Sequence, residues 1–254
     1  FLLRFARCRL RDDVGERTSL AWAVYLNIAL ASSLIVSTVM ANNFLAGVFG
    51  VDVFEWRDIA PFIVWAAVWA MHWFWLRPAY GLPGDLNLAV GSLTGLVTMM
   101  IGLGGVAYVA GDEIYASVVE RLPAGHESPE VATWLIAAGV GAVVWAWHWL
   151  GCYLRAKRTS LWHVYVLLIG TLGSLVVSIS SGATIAYWTA VWYLGNPTMD
   201  LPSEQFKPVP VAAAFLVSGM ATWQYHRTAL RTGDSVDRSE PLRAYDYLMA
   251  ASGL

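Results

Sequence analysis

Apolar residues run through this chain in long unbroken blocks separated by short polar stretches, without the period-two alternation of half-buried strands. Three blocks, 60–76, 131–154 and 208–230, end in Trp-x-x-His with an Arg a few residues later: Trp69 and His72, Trp145 and His148, Trp223 and His226. We term these the A helices. Blocks of a second kind, B, cover 20–49, 86–110 and 161–194, with a fourth starting near Leu242. Runs of about 20 apolar residues predict membrane-crossing helices, and helix is the open-chain element that satisfies its own backbone in lipid. The predicted fold is all-α, a polytopic transmembrane bundle of tandem helical hairpins with about seven to eight spans, the first and last partial.

The blocks also repeat. Arg17-Thr18-Ser19-Leu20 recurs as Arg158-Thr159-Ser160-Leu161, with matches continuing at Leu26/Leu167, Ser33/Ser174, Leu34/Leu175 and Ser37/Ser178. A weaker third copy pairs Gly91-Ser92-Leu93 with Gly170-Thr171-Leu172. Such a period implies one membrane domain over 1–254 made of pseudo-repeats 1–51, 52–112, 113–197 and 198–254. Phe1 is not a start residue and Leu254 falls in an apolar segment, so the chain reads as part of a longer one. Helix 161–194 exceeds what a bilayer requires, and predicts a tilt, a protrusion or a loosening near Ser180-Ser181-Gly182.

Composition agrees with the pattern. Of the residues, 57% are hydrophobic and 13% charged, against about 25% charge in soluble domains. Basic residues set the orientation, because Lys and Arg collect in cytoplasmic loops. The A-to-B connections hold 13 of the 16 Lys and Arg, and the B-to-A connections hold the other three beside ten acids. The A-to-B loops are therefore expected inside. Cys8 and Cys152 fall on that side and are expected as free thiols.

Imidazole on a membrane helix suits haem iron or chlorophyll magnesium, which makes His72, His148 and His226 candidate tetrapyrrole ligands. Each also lies within five to seven residues of a basic residue, at the depth of an aromatic belt. There Trp69, Trp73, Trp145, Trp149 and Trp223 read as interfacial anchors, and the histidines as anchors or interhelical hydrogen-bond partners. His163, opening a B helix, and His126, among acids in a connection, read as solvated.

No Asp, Glu, Lys or Arg falls in the middle of a span, whereas a transport path for ions needs polar groups there. Ser33, Ser37, Ser174, Ser178, Gly91 and Gly95 read as helix-packing positions, through close approach and interhelical hydrogen bonds. Arg77, Arg155, Lys157, Arg158, Arg227 and Arg231 are candidate ligands for lipid headgroups, although the topology rule alone would place them there. No catalytic carboxylate pair, metal-ligand spacing or phosphate-binding loop is present, so no catalytic residue and no metal site is assigned.

Two matching stretches carry a family resemblance: His148-Trp149 through Arg158-Thr159-Ser160-Leu161 to Tyr165, and Glu16-Arg17-Thr18-Ser19-Leu20 to Tyr25. Arg238-Ser239-Glu240, before Tyr245 and Tyr247, is a third. The pattern resembles a group of uncharacterised prokaryotic multi-pass membrane domains built from tandem hairpins. The likeness implies the repeat architecture and a prokaryotic plasma membrane, and it implies no activity. Two departures stand out: Arg4 and Arg7 occupy the region where the first repeat would carry Trp and His, and His226 is followed by Arg227 instead of Trp.

The function expected from the sequence is that of a non-enzymatic membrane protein, a structural or accessory subunit of a larger membrane complex. Its partners would be the lipid bilayer and other membrane subunits or further copies of itself, not nucleic acid. No cofactor is expected on that reading. The alternatives are a haem- or chlorophyll-binding electron-transfer or pigment subunit and a transporter of a lipid or apolar solute.

Overall fold

The structure, a computed structural model, describes Cys8, Asp12, Asp13, Gly15 and residues 19–53, 56–76, 85–118, 129–156, 158–195 and 201–231. Helices are α1 (Leu20–Val48), α2 (Trp56–Met71), α3 (Asp85–Val118), α4 (Pro129–Trp145), α5 (Ser160–Val164), α6 (Ser174–Leu194), α7 (Pro202–Phe206) and α8 (Val209–Arg231). Three wider, π-helical segments continue them: His72–Leu76 after α2, Ala146–Tyr153 after α4, and Tyr165–Gly173 joining α5 to α6. Among the described residues there is no strand.

Four helices are long and apolar enough to cross a membrane: Leu20–Val48, Asp85–Ile114, Glu130–Tyr153 and Ser160–Leu194. This is fewer than the seven to eight spans read from the sequence. The apolar stretch Ile59–Phe74 falls short in length. Helix α8 is long enough at 23 residues, but Gln224, His226, Arg227, Thr228 and Arg231 make its last two turns polar. Apart from Cys8, the partial first and last spans lie outside the described residues. Large apolar side chains such as Ile28, Val143, Ile179 and Val217 are exposed on these helices, an arrangement suited to an apolar surrounding.

The chain forms two compact units, one of residues 1–96 and 140–156, the other of 97–139 and 157–254. In the first, α1 packs on α2. The buried positions of α1, Leu26, Leu30, Ser33, Leu34 and Thr38, recur at three to four residues and form one face. Ser19 caps the helix by accepting from the Trp22 amide at 3.2 Å. At the other end Gly50 takes a left-handed φ of 70°, which ends α1 while the Val51 amide bonds back to Ala46 O at 2.9 Å. Phe44 stacks on Phe62 at 5.5 Å near that turn.

In the second unit α8 packs on α6 and on the Tyr165–Gly173 segment. Thr159 caps α5 as Ser19 caps α1, its hydroxyl accepting from the Trp162 amide at 3.3 Å. The caps therefore pair Ser19 with Thr159 and Trp22 with Trp162, one position away from the register of the sequence identities. Either hydroxyl of a Thr-Ser pair can reach an amide three residues on, so the sequence alone leaves the capping residue open. The long helix departs from α geometry at Tyr165–Gly173 and is regular through Ser180-Ser181-Gly182. In the wider segment the Thr171 hydroxyl donates to Val166 O, five residues back, at 2.9 Å, which matches the i-to-i+5 register of a π turn.

Candidate functional site

The three motif histidines are buried, and each uses its ring in the same way. A backbone carbonyl only accepts, so each Nδ1 carries a proton and donates to the carbonyl one turn back on its own helix. These bonds run from His72 to Val68 O at 2.7 Å, His148 to Val144 O at 2.8 Å and His226 to Thr222 O at 2.8 Å. The donation fixes the tautomer, with Nε2 as the acceptor nitrogen.

What each ring meets differs. His72 Nε2 accepts from the Tyr25 hydroxyl on α1 at 3.0 Å, tying α2 to α1. The His148 ring lies flat on α3 at Gly91, where a β-carbon would stand 2.2 Å from Cδ2. Trp73 and Trp69 close over the same ring edge-on, at centroid distances of 5.4 and 5.9 Å. His226 repeats the contact in the second unit: a β-carbon on Gly170 would stand 2.4 Å from its Cδ2 and Cγ. Tyr165 flanks it at 6.1 Å. Every one of the π-helical segments carries a residue of these contacts, namely His72, His148 or Gly170.

His163 corrects a sequence expectation. It is buried, not solvated, and its Nδ1 donates to Thr159 O at 2.9 Å while the ring sits edge-on to Trp162 at 5.1 Å. Its place in the first turn of a helix suggested solvent, but that turn is packed. His126 lies outside the described residues.

The tryptophans divide. Trp73 and Trp149 are buried within the first unit, Trp69 and Trp145 are half-buried, and Trp223 is half-buried beneath Arg227. The Arg227 guanidinium lies 5.1 Å from the Trp223 ring. Trp147, not singled out by the motif, is 47% exposed and is the outward-facing tryptophan of its turn.

Among the basic residues, Arg155 is exposed. Arg158 instead reaches across its unit, donating to Ala229 O near the end of α8 at 3.3 Å and lying 4.7 Å from the Trp162 ring centre. It meets a carbonyl of the last turn of a helix, where cations are favoured. Arg77 and Lys157 lie outside the described residues, as does the side chain of Arg231.

Ser33, Ser174 and Ser178 are buried and Ser37 is half-buried. Their hydroxyls donate within their own helices, to Ala29 O, Gly170 O, Ser174 O and Leu34 O respectively. The expected interhelical hydrogen bonds are thus replaced by intrahelical ones, which hide the hydroxyl and leave a small contact surface. Gly219 of α8 uses that surface beside Ser178, at a distance where a β-carbon would meet Oγ at 2.6 Å. Gly95 is covered by the backbone of α4 at Trp145.

Cys8 and Cys152 are free thiols. Among the described residues no three His, Cys, Asp or Glu side chains group in a way that could hold a metal ion. Comparison with protein-family models, curated proteins and solved structures finds no match for this chain.

Proposed function

We propose that the chain is a non-enzymatic integral membrane protein, a structural or accessory subunit of a larger membrane complex, in which the Trp-x-x-His motif joins neighbouring helices. The observation that carries this reading is the placement of His148 on Gly91 and of His226 on Gly170. An imidazole seated on bare backbone, with Nδ1 held by its own helix, acts as a knob in a hole. The wide turns at these points let bulky rings face a neighbouring helix without breaking the backbone ladder.

The same reading places the A-to-B connections in the cytoplasm of a prokaryotic cell, on the distribution of basic residues. It takes the paired caps at Ser19 and Thr159, and the Tyr25/His72 and Tyr165/His226 pairs, as marks of duplicated hairpins. Six spans follow if the short Ile59–Phe74 stretch and α8 cross as members of their hairpins, and the partial first and last spans read from the sequence bring the count to seven to eight. The outward apolar surface would be covered by lipid, by partner subunits or by further copies.

Purification in a gentle detergent tests the assignment. A partner or a homo-oligomer should travel with the protein, and a lone monomer would remove the subunit reading.

A tetrapyrrole-binding subunit is the second reading, and one observation favours it. Donation from Nδ1 to a backbone carbonyl is the outer contact that metal-bound histidines commonly make. The close cover of His148 by Gly91, Trp69 and Trp73 opposes it, because a porphyrin needs an open face at Nε2. A transporter of lipid or apolar solute is the third reading, and flux through reconstituted vesicles tests it.

A further inference from the structure

Two adjoining hollows in the second unit share Tyr108 and Lys207. The larger, about 520 Å³, lies between one turn of α6, at Ser180, Ser181 and Thr184, and the start of α8 as far as Phe215. The smaller, about 180 Å³, adds Asp112 and Phe206. From Val209 to Phe215 is six residues, or ~9 Å along α8 at ~1.5 Å per residue. That falls within the ~15 Å of a single leaflet, half of a ~30 Å hydrocarbon core.

The two ends differ in chemistry. Lys207 and Asp112 are exposed where they line the hollow, and the exposed Glu204 lies close enough to act on the Lys207 charge. Lys207 and Tyr108 line both hollows together, and interaction with Tyr108, then with Glu204 and Asp112, raises the Lys207 pKa. Deeper in, Val211, Ala212 and Phe215 make an apolar floor. The Thr184 hydroxyl is turned back on Ser180 O at 2.9 Å, so that wall also presents mainly carbon.

One cation with two anions beside it does not suit a simple anionic ligand. It suits a headgroup that is itself a dipole, negative near Lys207 and positive near the acids. We propose that this hollow binds a phospholipid with a primary-amine headgroup: the phosphate at Lys207 and the Tyr108 hydroxyl, the ammonium between Asp112 and Glu204, and an acyl chain on Val211, Ala212 and Phe215. The site rests on the chain lying in a membrane and not on the role of the histidines.

The test is retention of lipid. The protein is placed in nanodiscs of equal parts phosphatidylethanolamine, phosphatidylcholine and phosphatidylglycerol, then released in gentle detergent, and bound lipid is read by native mass spectrometry. Phosphatidylethanolamine should be enriched. The double variant Asp112→Asn, Glu204→Gln, made at exposed positions, should shift the preference toward phosphatidylglycerol by about fivefold per charge removed. Ala212→Phe should fill the groove and abolish retention. Equal retention of phosphatidylcholine and phosphatidylethanolamine, preference for phosphatidylglycerol in the unmodified protein, or no retention at all would overturn the site. Failure of the unmodified protein to enter nanodiscs would overturn the membrane reading and this site with it.

Discussion

Gly91 lies directly beneath the imidazole of His148, so close that a single added methyl group would overlap Cδ2 at 2.2 Å. The glycine is on α3 and the histidine in the wide turn after α4, so this contact locks two helices of the first unit together. Gly170 and His226 make the corresponding contact in the second unit. In two of its three copies the Trp-x-x-His motif read along one helix is thus half of a contact whose other half is a glycine on another.

Substituting that glycine should be costly. Gly91→Ala and Gly170→Ala should each lower stability by about 1–3 kcal/mol, the usual range for overpacking a filled site. Gly139→Ala is the control: nothing lies within 4 Å of a β-carbon there, and Ala in an exposed helix position should stabilise by up to about 1 kcal/mol. Thermal unfolding in detergent measures all three, and an unchanged midpoint for Gly91→Ala would contradict the packing.

Tyr25→Phe removes the donor to His72 Nε2 at 3.0 Å while keeping the ring. The loss should be about 0.5–1.5 kcal/mol, that of one neutral hydrogen bond. Because Tyr25 is 48% exposed, the lower end is expected. A double-mutant cycle with His72→Phe isolates the pair, and strict additivity would show that the hydroxyl and the imidazole do not interact.

Arg158 should matter where Arg155 does not. Arg158→Gln loses both the bond to Ala229 O and the stack on Trp162, for about 1.5–3 kcal/mol by the measure of charged hydrogen bonds. Arg155→Gln, at an exposed position, should stay within about 0.5 kcal/mol. Equal effects in an unfolding assay would contradict the role of Arg158 as a clamp on α8.

Lys207 gives a prediction in pH. Interaction with Tyr108, then with Glu204, raises its pKa above the ordinary 10.5. Its contribution is therefore full below pH 10.5 and is lost as pH rises through the raised value. NMR of the reductively methylated protein should show Lys207 titrating late, and Tyr108→Phe should bring it back toward 10.5. Identical titrations in the two proteins would contradict the Tyr108 contact.

The helical class was legible because unbroken apolar runs leave few alternatives, and four of those runs appear as helices long enough to cross a membrane. The span count was less legible. A pattern counts α8 as apolar from its first four turns, while the helix itself includes the polar last two. Contacts between helices were hidden almost entirely. Nothing in the sequence near His148 names Gly91, 57 positions away, and only the recurrence of Gly91 as Gly170 hinted that the position was shared. His163 was misread for the same reason, since burial of a helix start depends on what packs on it. Arg158 resembled any other basic residue near a helix end, because a reach of 71 residues to Ala229 has no local signature.

The central claim is that the buried histidines join helices and do not ligate a cofactor. A visible absorption spectrum of natively purified protein tests it most directly. The account predicts no Soret or chlorophyll band. A band in the native protein that is lost in His148→Ala or His226→Ala, with the helical content unchanged, would contradict it.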